Sequence, residues 1–124
     1  MVKVELKNGI ELILQETKLE TLVTDADFVV TGEGRLDSQT VMGKVPVGVS
    51  KIAQKHGVPV LAFAGAVTQE AGLCNEYGID AFFPIVRGVC TLEDAMKKEN
   101  ACGNLADTAE QAFRLIQRVQ EVKR

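Results

Sequence analysis

The chain has no apolar run approaching the roughly 18 residues that a membrane-spanning helix requires, so no such helix is expected. Its first residues, Met1-Val2-Lys3-Val4-Glu5-Leu6-Lys7, lack the apolar stretch of a signal peptide. Cysteine is sparse. Cys74, Cys90 and Cys102 form no CxxC pair and are odd in number, which points to reduced thiols and a cytoplasmic setting. His56 is the single histidine and no ligand spacing surrounds it, which argues against a zinc site. Positive charge is also short. A net charge of −3 and a pI near 5.2 argue against a nucleic-acid or anionic-membrane partner. The C-terminal Arg114, Arg118, Lys123 and Arg124 are interleaved with Glu110 and Glu121 and read as the solvated face of a helix. Neither an internal repeat nor a low-complexity linker is present.

What remains is one α/β unit over residues 1–124, and 46% hydrophobic residues suffice for a core at this length. Three apolar runs read as strands: Phe28-Val29-Val30, ending at Thr31-Gly32; Val58 to Ala64, ended by Gly65; and Ala81 to Val86, ended by Gly88. Pro59 fits a strand start, and Pro84 fits an edge strand or a bulge. Between the runs lie helix signals. From Pro46 onward Val49, Ile52 and Ala53 form an apolar stripe that His56 continues, and Gly57 stands where a helix stops. Thr68 reads as the cap of a helix ending at Gly78, and Thr91 with Asp94 as a capping pair. Leu105, Ala109, Ala112, Ile116 and Val119 form the buried stripe of a long terminal helix. Residues 9–26 read as helical with a break near Lys18, and Val2–Leu6 is at most a short strand. The expected fold is a small, mostly parallel sheet flanked by helices, a Rossmann-like three-layer arrangement.

Chemistry concentrates in what reads as the loop after the first strand, Thr31 to Thr40, followed by Gly43-Lys44. In open α/β sheets ligands sit beyond the carboxyl ends of the strands. Gly32 and Gly34 permit close ligand approach. Glu33 and Asp37 can bind Mg²⁺ through oxygen or take a proton from a hydroxyl. Arg35 offers a planar fork for a carboxylate or phosphate, and Lys44 a point charge near a helix start. Ser38, Gln39 and Thr40 are hydrogen-bonding candidates for substrate hydroxyls, with helix capping as the alternative for Ser38 and Thr40. Equally, Glu33, Arg35 and Asp37 can pair with one another in a surface turn. Ala64-Gly65 and Arg87-Gly88 end the other two strands and stand where they can line the same crevice, Arg87 reading rather as a surface residue. Asp37 breaks a GxGxxG fingerprint, and Ser38 and Val45 break a phosphate-binding Walker loop.

The string from Ala26 to Thr40, continued by Gly43-Lys44-Val45-Pro46-Val47-Gly48-Val49, resembles the signature of the bacterial-type (type 1) glycerate kinase family. The likeness extends to Asn8-Gly9-Ile10, to Pro59 through Gly65 and to Thr91 through Met96. It implies transfer of phosphate from ATP to D-glycerate with Mg²⁺, 2-phosphoglycerate being the favoured product. It further implies that this chain is the C-terminal third of a two-domain enzyme whose site lies between the domains. The remaining N-terminal part is then a partner, and the chain alone is expected to be inactive and to form a homodimer over uncovered apolar surface. Within this resemblance Asp37, Glu33 and Lys44 are the catalytic candidates. Gly32, Gly34, Arg35, Ser38, Gln39 and Thr40 are the substrate-binding ones, and Glu33 and Asp37 the Mg²⁺ ligands. A non-catalytic binding or vestigial module, or the C-terminal subunit of a split kinase, is the alternative reading.

Overall fold

A computed structural model describes residues 19–41 and 45–123. The helix expected before Leu19 and the strand considered at Val2–Leu6 lie outside these residues. In chain order the elements are α1 (Leu19–Thr24), β1 (Val29–Leu36), a short 3₁₀ turn (Ser38–Val41), α2 (Val45–Lys55) and β2 (Val60–Val67). They continue with a 3₁₀ segment (Gln69–Tyr77), β3 (Ala81–Pro84), α3 (Leu92–Met96) and α4 (Lys98–Val122). The three strands are parallel and lie in the order β1-β2-β3. Helices cover both faces, so the α/β three-layer expectation holds for the described residues.

Each strand contributes alternate residues to two cores. Val29 on β1 and Val60, Ala62 and Ala64 on β2 pack with Leu19, Val23, Val49, Ala53, Ala71, Cys74 and Ile79 beneath α1, α2 and the 3₁₀ segment. Leu61, Phe63 and Ala112 form the opposite core with Val30, Phe83, Ala109, Phe113 and Ile116 beneath α4. Phe63 stacks on its register partner Phe83 at 5.5 Å, and Phe28 meets Phe113 edge-on at 5.8 Å.

β1 runs farther than its apolar residues predict. Thr31 to Leu36 was expected as a loop and is strand, because it pairs with β2 as far as Arg35↔Ala66 and Leu36↔Val67. The pairing leaves no room at one point. A Cβ on Gly65 would stand 2.9 Å from the Gly34 carbonyl oxygen. Past these two glycines the paired Leu36 and Val67 join the core under α2, although strict alternation from Val29 and Val60 would turn them to the α4 face.

The helix ends are locally encoded. Gly57 takes φ +69°; its N–H donates to the Gln54 carbonyl, and that of Val58 to the Ala53 carbonyl, which closes α2 in a Schellman pattern. The Thr91 hydroxyl accepts the Asp94 N–H at 3.1 Å and caps α3. Pro84 ends an edge strand and Pro59 directly precedes β2, donating nothing but accepting the Val29 N–H.

Five further expectations need correction. The second strand was expected from Val58 to Ala64, ended by Gly65; it starts at Val60 and runs through Gly65 to Val67, because its pairing with β1 continues to Leu36↔Val67. The segment from Gln69 to Tyr77 does end at Gly78, but it is a 3₁₀ rather than an α-helix, and the Thr68 hydroxyl makes no cap bond. It is buried with no hydrogen-bond partner among the described residues. β3 stops at Pro84, so Ile85 and Val86 lie beyond the strand. His56 does not continue the buried stripe of α2. It lies past the helix end, and its Nε2 meets Glu20 Oε2 at 2.9 Å. Of the α4 stripe only Ala112 is fully buried, while Leu105 and Val119 are exposed. A 25-residue helix of about 37 Å overhangs a sheet whose last strand is four residues long, about 13 Å.

Gly65→Ala should lower stability by about 1–3 kcal/mol, because the new methyl meets backbone that cannot swing aside; a denaturant midpoint measures it. The Lys55 ammonium and then His56 hold the Glu20 carboxyl below its ordinary value of 4.5. A depressed carboxyl pKa contributes stability that is fully present above the unfolded value and lost as pH falls through the folded one. The melting-temperature difference between wild type and Glu20→Gln should therefore be present at neutral pH and vanish below the folded pKa, which lies under 4.5, when melts are compared along an acid titration.

Candidate functional site at the carboxyl ends of the strands

β1 carries the polar string out to the carboxyl edge of the sheet. Arg35 Nε lies 3.3 Å from Asp37 Oδ2, and Asp37 Oδ1 accepts the Gln39 N–H at 2.9 Å. The second bond is an Asx turn, which starts the Ser38–Val41 3₁₀ turn directly after the strand. Asp37 is thus fixed on both oxygens. The Arg35 side chain is 64% exposed and keeps its guanidinium accessible. Two of the three charged residues therefore do pair across a turn, as one of the sequence readings had it, and the same pairing orients them at a strand end. Asp37 also lies near the buried Cys74. Desolvation first, and the Asp37 charge second, push that thiol upward, so it stays protonated and inert. The three cysteines carry free thiols, Cys90 and Cys102 being exposed.

Glu33 and Gly34 point the site the other way. They line a mostly apolar crevice of about 700 Å³ with Gly65, Ala66 and Val67 of β2, the turn after β3, α3 and the first turns of α4. Arg35, Asp37, Ser38 and Gln39 are not in its lining. Gly65 lines it as the sequence suggested. Arg87 and Gly88 line instead a smaller neighbouring cleft of about 260 Å³. Gly32 is exposed on β1, Thr40 belongs to the 3₁₀ turn, and Lys44 lies outside the described residues. The sequence reading missed Cys90, Leu92, Ala95, Met96 and Asn104. Leu92, Ala95 and Met96 fall at i, i+3 and i+4 on α3, with Leu92 76% and Met96 72% exposed. That spacing on a capped helix is the signal that could have found them.

Among the described residues no helix is long and apolar enough to cross a membrane, and no group of three or more His, Cys, Asp or Glu could hold a metal. Oxygen donors at the strand end are Glu33 and Asp37. Carboxylate oxygens are the donor type that Mg²⁺ takes, although Glu33 lines the crevice and Asp37 does not.

The model of the glycerate kinase family matches residues 1–117. This chain belongs to the glycerate kinase family. It is 47% identical over 96 residues to a glycerate kinase of Bacillus subtilis, covering 77% of this chain and 25% of that protein. It is 42% identical over 100 residues to a glycerate 2-kinase of Escherichia coli, covering 79% and 26%. A crystal structure of a putative glycerate kinase 2 from Salmonella typhimurium aligns with TM-score 0.66 at 38% identity, over 94% of this chain and 28% of that one. The matched residues thus span about a quarter of the length of these family members.

In this family member Asp37 has a turn to hold as well as a charge to present. Asp37→Asn keeps an oxygen that can accept the Gln39 N–H and should shift stability by no more than about 0.5 kcal/mol. Asp37→Ala removes that acceptor and should cost about 1 kcal/mol, as loss of a cap does. Urea midpoints of the two variants check the difference; equal losses would mean that the turn does not depend on this side chain.

Proposed function

We propose that this chain supplies the carboxyl-end half of a site that transfers phosphate from ATP to D-glycerate, with Mg²⁺, as part of a longer enzyme. The observation that carries the reading is the fixed Arg35–Asp37 pair at the carboxyl end of β1 in a chain of the glycerate kinase family. Arg35 binds the glycerate carboxylate, for which a planar guanidinium is suited. Asp37 or Glu33 takes the proton of the attacking hydroxyl. The hydroxyl oxygen bonds to the γ-phosphorus, the bond to the bridging oxygen breaks, and ADP leaves. Glu33 and Asp37 would hold Mg²⁺, which supplies charge neutralisation at the phosphates. Lys44 neutralises the transferring oxygens, and Gly32, Gly34, Ser38, Gln39 and Thr40 bind substrate.

The name of the Escherichia coli relative, glycerate 2-kinase, supports 2-phosphoglycerate as product. Because positioning two substrates accounts for about 7–11 kcal/mol of barrier lowering in favourable cases, this chain alone is inactive. No observation favours a vestigial module.

In the longer enzyme, Arg35→Ala and Asp37→Asn should each lower kcat by about 10²–10³, the usual loss for one electrostatic contact to a transition state. Unfolding midpoints should stay close to wild type. A midpoint that collapses with activity would make the pair structural, and an unchanged kcat would move the chemistry elsewhere.

A further inference from the structure

The apolar crevice has no role in handling glycerate. Every carbon of glycerate bears oxygen, and a triphosphate has no apolar surface at all. The crevice wall is built from Ile85, Val86, Leu92, Ala95 and Met96, and among the described residues Glu33 at its strand-end rim is the one charged residue lining it. Burying the oxygen-rich acid there would strip it of water without return. A flat heteroaromatic ring is the part of the two substrates that gains from such a wall.

Resting on the kinase reading above, we infer that this crevice seats the purine base of the phosphoryl donor, with Asn104 reading the base edge. Asn104 is half-buried on α4 and lines both the crevice and the adjoining 260 Å³ cleft. Its amide offers a donor and an acceptor together, the pattern that pairs with an adenine edge. The volume of about 700 Å³ suits a nucleotide-sized ligand. The crevice is also continuous with the strand end. Gly34 and Gly65 lie in its lining, and a Cβ on Gly34 would meet nothing within 4 Å, so the backbone there leaves open space. A triphosphate running from the base would pass over these glycines to Glu33, and Arg35 and Asp37 follow on the same strand end.

The test is methyl NMR on this chain labelled at its three methionines, Met96 being assigned by Met96→Leu. Adenosine at millimolar concentration should move the Met96 signal, as should Mg²⁺ with ATP, and D-glycerate should not. Ala95→Trp should abolish the adenosine response, and Asn104→Ala should weaken it about ten-fold, in line with loss of a base-edge pair. A Met96 signal blind to adenosine overturns the inference, as does an undiminished response in both variants. If adenosine fails while D-glycerate or Mg²⁺ with tripolyphosphate shifts the Glu33–Asp37 amides, only the base seat falls and the kinase reading stands. If adenosine binds and, in the longer enzyme, Arg35→Ala and Asp37→Asn leave kcat unchanged, the base seat holds and the kinase reading fails.

Discussion

The parallel pairing of β1 with β2 is the constraint on which the other features depend. It persists through the point where Gly34 and Gly65 meet, and it survives there because Gly65 carries no Cβ, which would stand 2.9 Å from the Gly34 carbonyl oxygen. Beyond it, Leu36 turns into the core under α2, and that burial anchors the end of the strand. Asp37 is the next residue. Its turn with Gln39 and its contact with Arg35 are therefore held by a buried neighbour and not by the surface alone. A polar string that would wander as a free loop is set at the carboxyl edge of the sheet, where preorganised charge is most effective.

The two faces of the sheet are finished differently. Under α1, α2 and the 3₁₀ segment the core is closed. Ser50 is fully buried and donates to the Tyr77 carbonyl at 2.9 Å, and Asp80 Oδ2 accepts the Val60 N–H at 2.7 Å where β2 begins. The α4 face packs Phe63, Phe83 and Ala112 in its middle and then opens toward the strand ends. Closure on one side gives rigidity to the residues at the strand ends. The opening on the other provides space for a ligand without strain in the core.

Much of the fold is legible because its signals are short-range. The Gly57 stop, the Thr91 cap, the placement of Pro59 and Pro84 and the apolar runs of all three strands each depend on neighbours within a few residues. The candidate residues Glu33, Arg35 and Asp37 were legible as types. Their arrangement was not. Arg35 pairs with Asp37 and turns away from the crevice that Glu33 and Gly34 enter, a division that residue spacing does not encode.

The amino-acid sequence by itself determined the family, the α/β class, the parallel order of runs and the identity of the polar residues, because a long string of residues and local capping chemistry carry that information. Tertiary structure alone decided where β1 ends, since the bonds that extend it to Leu36 come from β2, about thirty residues onward in the chain. It also decided that His56 leaves the core to meet Glu20, and that residues from Glu33 to Asn104 enclose one crevice. Those outcomes are contacts between distant segments, and periodicity reports only how a segment faces, never which segment it will meet.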